Sequence, residues 1–310
     1  MQAEAAPGMV AAATVPDWIA VDWGTTRLRA WAMGPGGPLA ETVSDEGMGA
    51  LARGAFEGAL MRAVGGWLPA KGRIPVVACG MVGSRQGWHE APYRATPCRP
   101  LDPATLVAAP VADPRLRVRL VPGLRQDRPA EVMRGEETQI AGALALNPRF
   151  DGVLCLPGTH CKWAHVSAGE VVSFRTAMTG ELFALIAGQS VLRHSMGGEG
   201  WDDAAFDAAL SDAMTSPGGF AARLFGIRAE ALLTGLAPGA ARARLSGLLI
   251  GMELAAMRPW WLGQPVAVLG APRLAGLYAR ALAAQGTAPS HVDATAATLA
   301  GLALARPTEE

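Results

Sequence analysis

The stretch from Trp18 to Trp31, W-I-A-V-D-W-G-T-T-R-L-R-A-W, restricts the folds open to this chain more than any other. Ile19 and Val21 alternate with smaller or polar neighbours and end on Asp22. Gly24-Thr25-Thr26 then makes a tight turn, and Arg27 to Trp31 resumes the period-two pattern of a strand. The turn thus gathers a carboxylate, a glycine and two hydroxyls. Gly24 lets the backbone come close to a phosphate, since no Cβ stands in the way. Thr25, Thr26 and the turn N–H groups can donate to phosphate oxygens, and Asp22 at the strand end can hold a hydrated Mg²⁺ between them. Taken alone, the same residues also suit an ordinary hairpin turn.

Composition limits the partners. The chain has 310 residues, half of them apolar, enough for two domains of ordinary size. Its 27 basic and 27 acidic residues cancel, which argues against a nucleic acid or membrane surface held by bulk charge. No apolar run free of Gly, Pro and charge is long enough to span a bilayer. Residues 1–16 are Ala-rich, lack a basic cluster, and read as a disordered tail rather than a secretory signal. Cys79, Cys98, Cys155 and Cys161 form no C-x-x-C pair and suit a reducing, cytoplasmic compartment. His160 and Cys161 are adjacent and would point apart on a strand, so a zinc site is not expected.

In chain order, a third strand is expected over Leu39 to Val43, then a helix through Phe56, Leu60, Val64 and Trp67, then a buried strand from Ile74 to Cys79. This is a mixed α/β unit. The loop Gly80-Met81-Val82-Gly83-Ser84-Arg85-Gln86-Gly87-Trp88 leaves the end of that strand, where open α/β sheets commonly bind ligands. Ser84 and Arg85 could hold a sugar hydroxyl or a carboxylate, and Trp88 could offer a flat face to a sugar ring. A plain structural loop is the alternative. Ala91 to Pro114 reads as connection, and Pro122 to Asp127 as a loop that could cover a site. In Met133-Arg134-Gly135-Glu136-Glu137-Thr138-Gln139 two acids open a helix. They suit the positive end of its dipole, and equally a general base.

A second half repeats the opening. Gly152 to Leu156 is strand-like and runs into Pro157-Gly158-Thr159-His160-Cys161-Lys162-Trp163, another Gly-Thr turn about 130 residues after the first. Two such units suggest two related halves, each supplying a phosphate-gripping turn to a nucleotide. Thr179 is placed as a helix N-cap, and Arg175 as either an anion ligand or a surface charge. Further helices are expected over Trp201 to Met214 and Arg242 to Met257, the latter with Gly247, Gly251 and Ala255 on one stripe. A strand from Pro265 to Leu269 ends in Gly270-Ala271-Pro272, where a glycine turn could lie flat against a base or ribose. Asp293 caps a last helix whose Ala297, Gly301 and Ala305 would cross Ala141 and Ala145 of the helix after Glu137, forming a hinge. The lobes are drawn as 17–147 and 148–292, with the helix over 293–306 a candidate to pack back on the first.

Five blocks, Asp22-Trp23-Gly24-Thr25-Thr26, Gly80 to Ser84, Met133 to Gln139, Pro157 to Trp163 and Met178-Thr179-Gly180-Glu181-Leu182, together resemble the 2-dehydro-3-deoxygalactonokinase family, in order from about Trp18 to Ala305. That family belongs to the sugar kinase, heat-shock protein and actin superfamily. The resemblance implies an α/β fold of two related actin-like, ribonuclease H-like lobes around an ATP cleft. It also implies ATP-dependent phosphorylation of the 6-hydroxyl of 2-dehydro-3-deoxy-D-galactonate, with ATP and Mg²⁺ required and no nucleic-acid or membrane partner; a homodimer is left open. On this reading Asp22 orients the metal, while Gly24, Thr25, Thr26, Gly158 and Thr159 grip phosphates. Lys162 offsets charge on the transferring group, and Gly270 meets the adenosine. Glu136 is the candidate base, Glu137 the reserve and Asp127 the third. Arg85 and Arg134 are candidates for the acid's carboxylate, beside Ser84 and Trp88. The chain departs from the superfamily in having Pro157 where an acid usually precedes the glycine, and Ala271-Pro272 where a hydroxyl is common. An ATP or polyphosphate hydrolase of the same fold and a non-catalytic sugar-acid sensor are the rival readings.

Overall fold

The computed structural model describes residues 16–306, so the first fifteen residues of the expected tail lie outside the described residues. The chain divides into two compact units. The first holds residues 16–92, 101–123 and 302–306 of the described chain, and the second Tyr93–Pro100 and Leu124–Gly301. The boundary drawn from the sequence at 147 therefore falls inside the second unit. Among the described residues no helix is long and apolar enough to cross a membrane.

The first unit is built on a sheet of β1 (Trp18–Trp23), β2 (Leu28–Gly34), β3 (Gly37–Ser44), β4 (Ile74–Gly80), β6 (Val107–Ala108) and β7 (Leu116–Leu120), with α1 (Phe56–Val64) between β3 and β4. Its order is β3-β2-β1-β4-β7-β6. β1 to β3 form an antiparallel meander, and β1, β4 and β7 run parallel. Alternate residues face one core: Ile19, Val21 and Trp23 from β1 and Ile74, Val76 and Ala78 from β4 pack with Phe56, Ala59 and Leu60 of α1.

The second unit has a small sheet, in the order β5-β8-β9, of β5 (Arg94–Ala95), β8 (Leu124–Asp127) and β9 (Ala130–Met133). The segment expected to be a loop over Pro122 to Asp127 is thus half of a hairpin. Its main sheet has β10 (Gly152–Leu156), β11 (Cys161–Ser167), β12 (Glu170–Ala177), β13 (Val266–Gly270) and β14 (Ser290–Asp293), in the order β12-β11-β10-β13-β14. β10 to β12 again form an antiparallel meander, and β10, β13 and β14 run parallel. Both sheets share one plan, a three-stranded antiparallel meander whose first strand is followed by two parallel strands, with the short β6 added at the edge of the first sheet. This is the ribonuclease H-like arrangement of actin-like lobes that the family resemblance implied.

Period-two burial gives this second sheet two cores. Val153, Cys155, Cys161, Trp163, Val266 and Val268 face one layer of helices: α4 (Asp203–Thr215), α6 (Pro238–Ala256) and α8 (Pro272–Ala283). Leu154, Leu156, Ala164, Val166, Ala267 and Leu269 face α2 (Glu136–Leu146) and α9 (Ala294–Leu304). The remaining helices are α3 (Thr179–Gln189), α5 (Phe220–Leu233) and the short α7 (Arg258–Trp261). The glycine stripe of α6 does bring a helix close, since Cβ atoms at Gly247 and Gly251 would lie 2.4 and 2.8 Å from the Phe206 and Leu210 carbonyls of α4. Residues of α2 and α9 cross backbone to backbone within this unit. A Cβ at Gly142 would meet the Ala297 carbonyl at 1.7 Å, and one at Gly301 the Thr138 carbonyl at 2.0 Å. The contact uses Gly142 rather than the Ala141 and Ala145 stripe, and Asp293 caps α9 through Ala296 N–H at 2.6 Å.

Candidate active site

In the first unit, β1 and β4 end side by side, with Trp23 opposite Gly80, and both candidate loops leave from there. Gly80 needs its positive φ of 91° to start the second loop, and a Cβ would stand 2.7 Å from the Trp23 carbonyl. In the first loop, Gly24 N–H donates to the Arg27 carbonyl at 2.9 Å and closes the turn. Met48 N–H and Gly49 N–H donate to the carbonyls of Gly24 and Thr25 at 3.0 and 2.8 Å. Gly47 lies flat against the turn, where a Cβ would fall 2.2 Å from the Thr26 carbonyl carbon. Thr25 and Thr26 are exposed. Asp22 Oδ2 accepts from Arg29 Nη2 at 2.6 Å across the β1–β2 pair, and Oδ1 from the Cys79 thiol at 3.9 Å. Asp22 thus has one oxygen held in an ion pair and the other in a longer, weaker thiol contact. One carboxylate is the share that Mg²⁺ commonly takes from protein when phosphates supply the rest, so the residues present fit that ion.

The loop after Gly80 is tightly wound, with Ser84 N–H on the Met81 carbonyl at 3.0 Å and Trp88 N–H on the Val82 carbonyl at 2.8 Å. The Arg85 side chain is 79% exposed and loosely paired with Glu90 at 3.6 Å. Ser84 is buried, and its Oγ has no hydrogen-bond partner among the described residues, a cost that a ligand hydroxyl or water would relieve. Trp88 departs from the expectation. Its ring stacks on Phe56 and meets Trp23 edge-on, and its Nε1–H donates to the Pro110 carbonyl at 3.1 Å. An aromatic in a glycine-rich loop can close a core as readily as face a sugar, and here it closes the core.

In the second unit, Gly135, at φ 102°, opens α2 and sets the two acids apart. Glu137 is fully buried; Gly135 N–H donates to its Oε2 at 2.6 Å and the Thr138 hydroxyl to its Oε1 at 2.9 Å. Burial first, and then the neighbouring Glu136 charge, push its carboxyl up to about 7. Glu136 is half-buried and accepts from Arg134 N–H at 3.0 Å. Burial raises its carboxyl too, while Lys162 and His160 nearby pull it back down. Arg134 is buried, its guanidinium 4.4 Å from the centre of the Tyr93 ring. Asp127 lies apart from these groups in its bonding. It pairs with Arg125 at 3.0 Å on the exposed end of the β8–β9 hairpin, a surface ion pair rather than a desolvated base.

The β10–β11 turn is the counterpart of Gly24-Thr25-Thr26. Gly158 and Thr159 sit against the first turn of α3: a Cβ at Gly180 would fall 2.3 Å from the Gly158 carbonyl, and Glu181 N–H donates to the Thr159 carbonyl at 2.9 Å. His160 Nε2 and Glu181 Oε2 are 2.5 Å apart. Lys162, buried on β11, donates to the Thr176 hydroxyl across the β11–β12 pair at 3.0 Å. Thr179 is not the N-cap expected; it is the first helical residue, and its hydroxyl donates to Glu253 instead. Gly158, Thr159, Thr179 and Gly180 also line a cavity of about 500 Å³, mostly apolar, whose other walls include Phe183, Trp201 and Tyr278. Gly270 itself packs on Pro157, its would-be Cβ 3.1 Å from that carbonyl, and the next residue, Ala271, meets the cavity. A Gly-Thr turn beside an apolar slot of this size suits a nucleotide, phosphates at one end and base at the other.

The family model for 2-keto-3-deoxy-galactonokinase matches residues 22–305. The chain belongs to this family. Among galactonokinase relatives of this type, a Rhizobium meliloti (strain 1021) protein named probable 2-dehydro-3-deoxygalactonokinase is 40% identical over 296 residues, 93% of this chain and 96% of its own. The Escherichia coli (strain K12) 2-dehydro-3-deoxygalactonokinase is 34% identical over 288 residues, 92% of this chain and 96% of its own. A crystal structure from Sinorhizobium meliloti described by the same enzyme name matches with a TM-score of 0.83 at 40% identity, covering 93% of this chain and 97% of that one.

The residues of this galactonokinase family member that sequence reasoning passed over are Arg29, Tyr93, Phe183, Trp201, Glu253 and Tyr278. Arg29 had a local signal, since it stands directly across the strand pair from Asp22. The others come from distant segments and share no spacing with the motifs.

Proposed function

We propose that the chain is an ATP-dependent kinase that moves the γ-phosphate of ATP to the 6-hydroxyl of 2-dehydro-3-deoxy-D-galactonate, a step of galactonate catabolism. One observation carries the mechanism: a half-buried glutamate, Glu136, raised by burial and held beside Lys162 and His160, in the unit whose Gly158-Thr159 turn opens onto a nucleotide-sized cavity. A primary hydroxyl must lose its proton as its oxygen attacks phosphorus, and a carboxylate in reach of it is the usual acceptor. Glu136 takes that proton, the new bond forms from the 6-oxygen to the γ-phosphorus, and ADP leaves with the electrons of the broken bond. Glu137, fully buried and tied to Gly135 N–H and the Thr138 hydroxyl, does not compete for the role.

Gly24, Thr25 and Thr26 of the first unit and Gly158, Thr159 and Lys162 of the second are assigned to the phosphates, and the 500 Å³ cavity to the adenosine. Asp22 would hold Mg²⁺, which neutralises phosphate charge when bound. Arg29 keeps Asp22 from swinging away, and Ser84 and Arg85 are assigned to the sugar acid. Arg134, buried against Tyr93, is the alternative candidate guanidinium for the carboxylate. We place the reaction in the cytoplasm, where ATP is at hand. The test is coupled ADP release with Mg-ATP and 2-dehydro-3-deoxygalactonate, beside the gluconate epimer and a blank without acceptor. Acceptor-dependent ADP, with the galactonate form preferred, is expected. Equal release in all arms would identify a hydrolase, and none in any arm a sensor.

A further inference from the structure

Glu253 lies on α6, 4% exposed, and is approached by donors from three other elements. Trp163 Nε1–H of β11 donates to its Oε1 at 2.7 Å. The Tyr278 hydroxyl of α8 donates to its Oε2 at 2.6 Å, and the Thr179 hydroxyl of α3 to the same oxygen. No Lys, Arg or His among the described residues forms an ion pair with it. A carboxylate buried with only neutral donors is costly, and an apolar side chain of its size would fill the space more cheaply. What it supplies is geometry: two oxygens fix three side chains from three elements at one point.

Two of those side chains, Thr179 and Tyr278, line the 500 Å³ cavity, while the carboxylate is not among its lining groups. Thr179 begins the helix turn that abuts the Gly158 and Thr159 backbone. Tyr278 lies on α8, the helix that follows the Gly270-Ala271 turn. Trp163 is next along β11 to Lys162 and faces the opposite side of the sheet, so fixing the indole fixes the strand that carries the lysine.

We propose that Glu253 is a positioning residue of the nucleotide site, holding the phosphate turn in register with the wall of the cavity that α8 supplies, without touching the nucleotide. This rests on the assignment of that cavity to ATP. Loss of the tie then displaces the phosphates more than the base, so turnover falls and the affinity for adenosine holds.

The experiment compares Thr179→Val, Thr179→Ser, Tyr278→Phe, Glu253→Leu and the Tyr278→Phe/Glu253→Leu pair. Each is read by kcat, by KM for ATP and sugar acid, and by calorimetric binding of ADP and of adenosine. A sub-ångström to ångström displacement costs about ten-fold or more in turnover. Thr179→Val should show that loss with weakened ADP binding, unchanged adenosine binding and an unchanged sugar-acid KM; Thr179→Ser, which keeps the hydroxyl, should restore it. Tyr278→Phe should lower turnover in the wild-type background but add nothing to Glu253→Leu, which has no acceptor left for the Tyr278 hydroxyl, since both cut the same tie. Wild-type kcat and ADP affinity in Thr179→Val, or losses that multiply in the pair, would overturn the proposal. Should Glu253→Leu fail to fold, the Thr179 pair and Tyr278→Phe still decide. A wild-type protein that binds ADP without transferring phosphate would refute the kinase reading and leave the ADP-against-adenosine comparison to judge Glu253.

Discussion

Replacing Glu137 by glutamine tests the division of labour between the two acids, because the two make different demands on pH. In the folded chain the Glu137 carboxyl sits at about 7, against an ordinary 4.5. Below 4.5 both folded and unfolded chains carry its proton, and the group costs nothing. As pH rises from there the unfolded chain loses the proton first, while the folded chain keeps it until about 7. Stability from this group is therefore fully present below 4.5 and is lost as pH climbs through 7. A carboxyl displaced from 4.5 to about 7 carries about 3 kcal/mol between its two protonation states. In Glu137→Gln the new amide would keep both hydrogen bonds, its oxygen accepting from Gly135 N–H and its N–H donating to the Thr138 hydroxyl. The variant should match the wild type near pH 4.5 and gain on it by about 3 kcal/mol by pH 8. Urea unfolding across that range, plotted as the difference between the two proteins, isolates the term from every other titrating group. A difference that stays flat with pH would refute a buried, proton-binding Glu137. The same variant should keep acceptor-dependent ADP release, since the base is assigned to its neighbour.

Three further outcomes are expected. Glu136→Gln should lower turnover by roughly 10²-fold or more while ADP still binds, which single-turnover kinetics and calorimetry check; near-normal turnover would remove Glu136 from its role. Arg85→Ala should raise the KM for the sugar acid and leave that for ATP unchanged, measured by varying each substrate in turn. Gly301→Leu puts a side chain where a Cβ already falls 2.0 Å from the Thr138 carbonyl, so a loss of about 3 kcal/mol or more is expected in urea unfolding; unchanged stability and turnover would show that the crossing of α2 and α9 can open freely.

Much of the fold could be read because its signals are local. The opening strand, turn and strand, the Gly-Thr echo at 158–159 and the glycine stripe of α6 each rest on periodicity within a few residues. The β8–β9 hairpin was hidden because Pro122, Gly123, Asp127 and Pro129 look like loop punctuation, while what makes strands of Leu124–Asp127 and Ala130–Met133 is their pairing with each other. α5 escaped because Phe225, Leu232 and Leu233 are exposed and only Ile227 is fully buried, so no apolar stripe marks it. In the site, Asp22 and the two glutamates stood out by their motifs. Which glutamate faces inward could not be read, because adjacent residues on a helix differ only in what packs over them. Trp88 carried no mark of the Phe56 and Trp23 rings it meets.

Gly47 gives the Gly24-Thr25-Thr26 turn a property that concerns affinity. The turn is not a slack loop waiting for its ligand: the carbonyls of Gly24 and Thr25 are taken by Met48 and Gly49, and Gly47 leaves no room for a side chain against Thr26. Loop residues that order only on binding would each withdraw about 1–2 kcal/mol of backbone entropy from the association. Here that loss is met during folding, so under the proposed assignment of this turn to phosphate the Thr25 and Thr26 hydroxyls would already be in place, and the nucleotide would keep more of its contact energy as affinity.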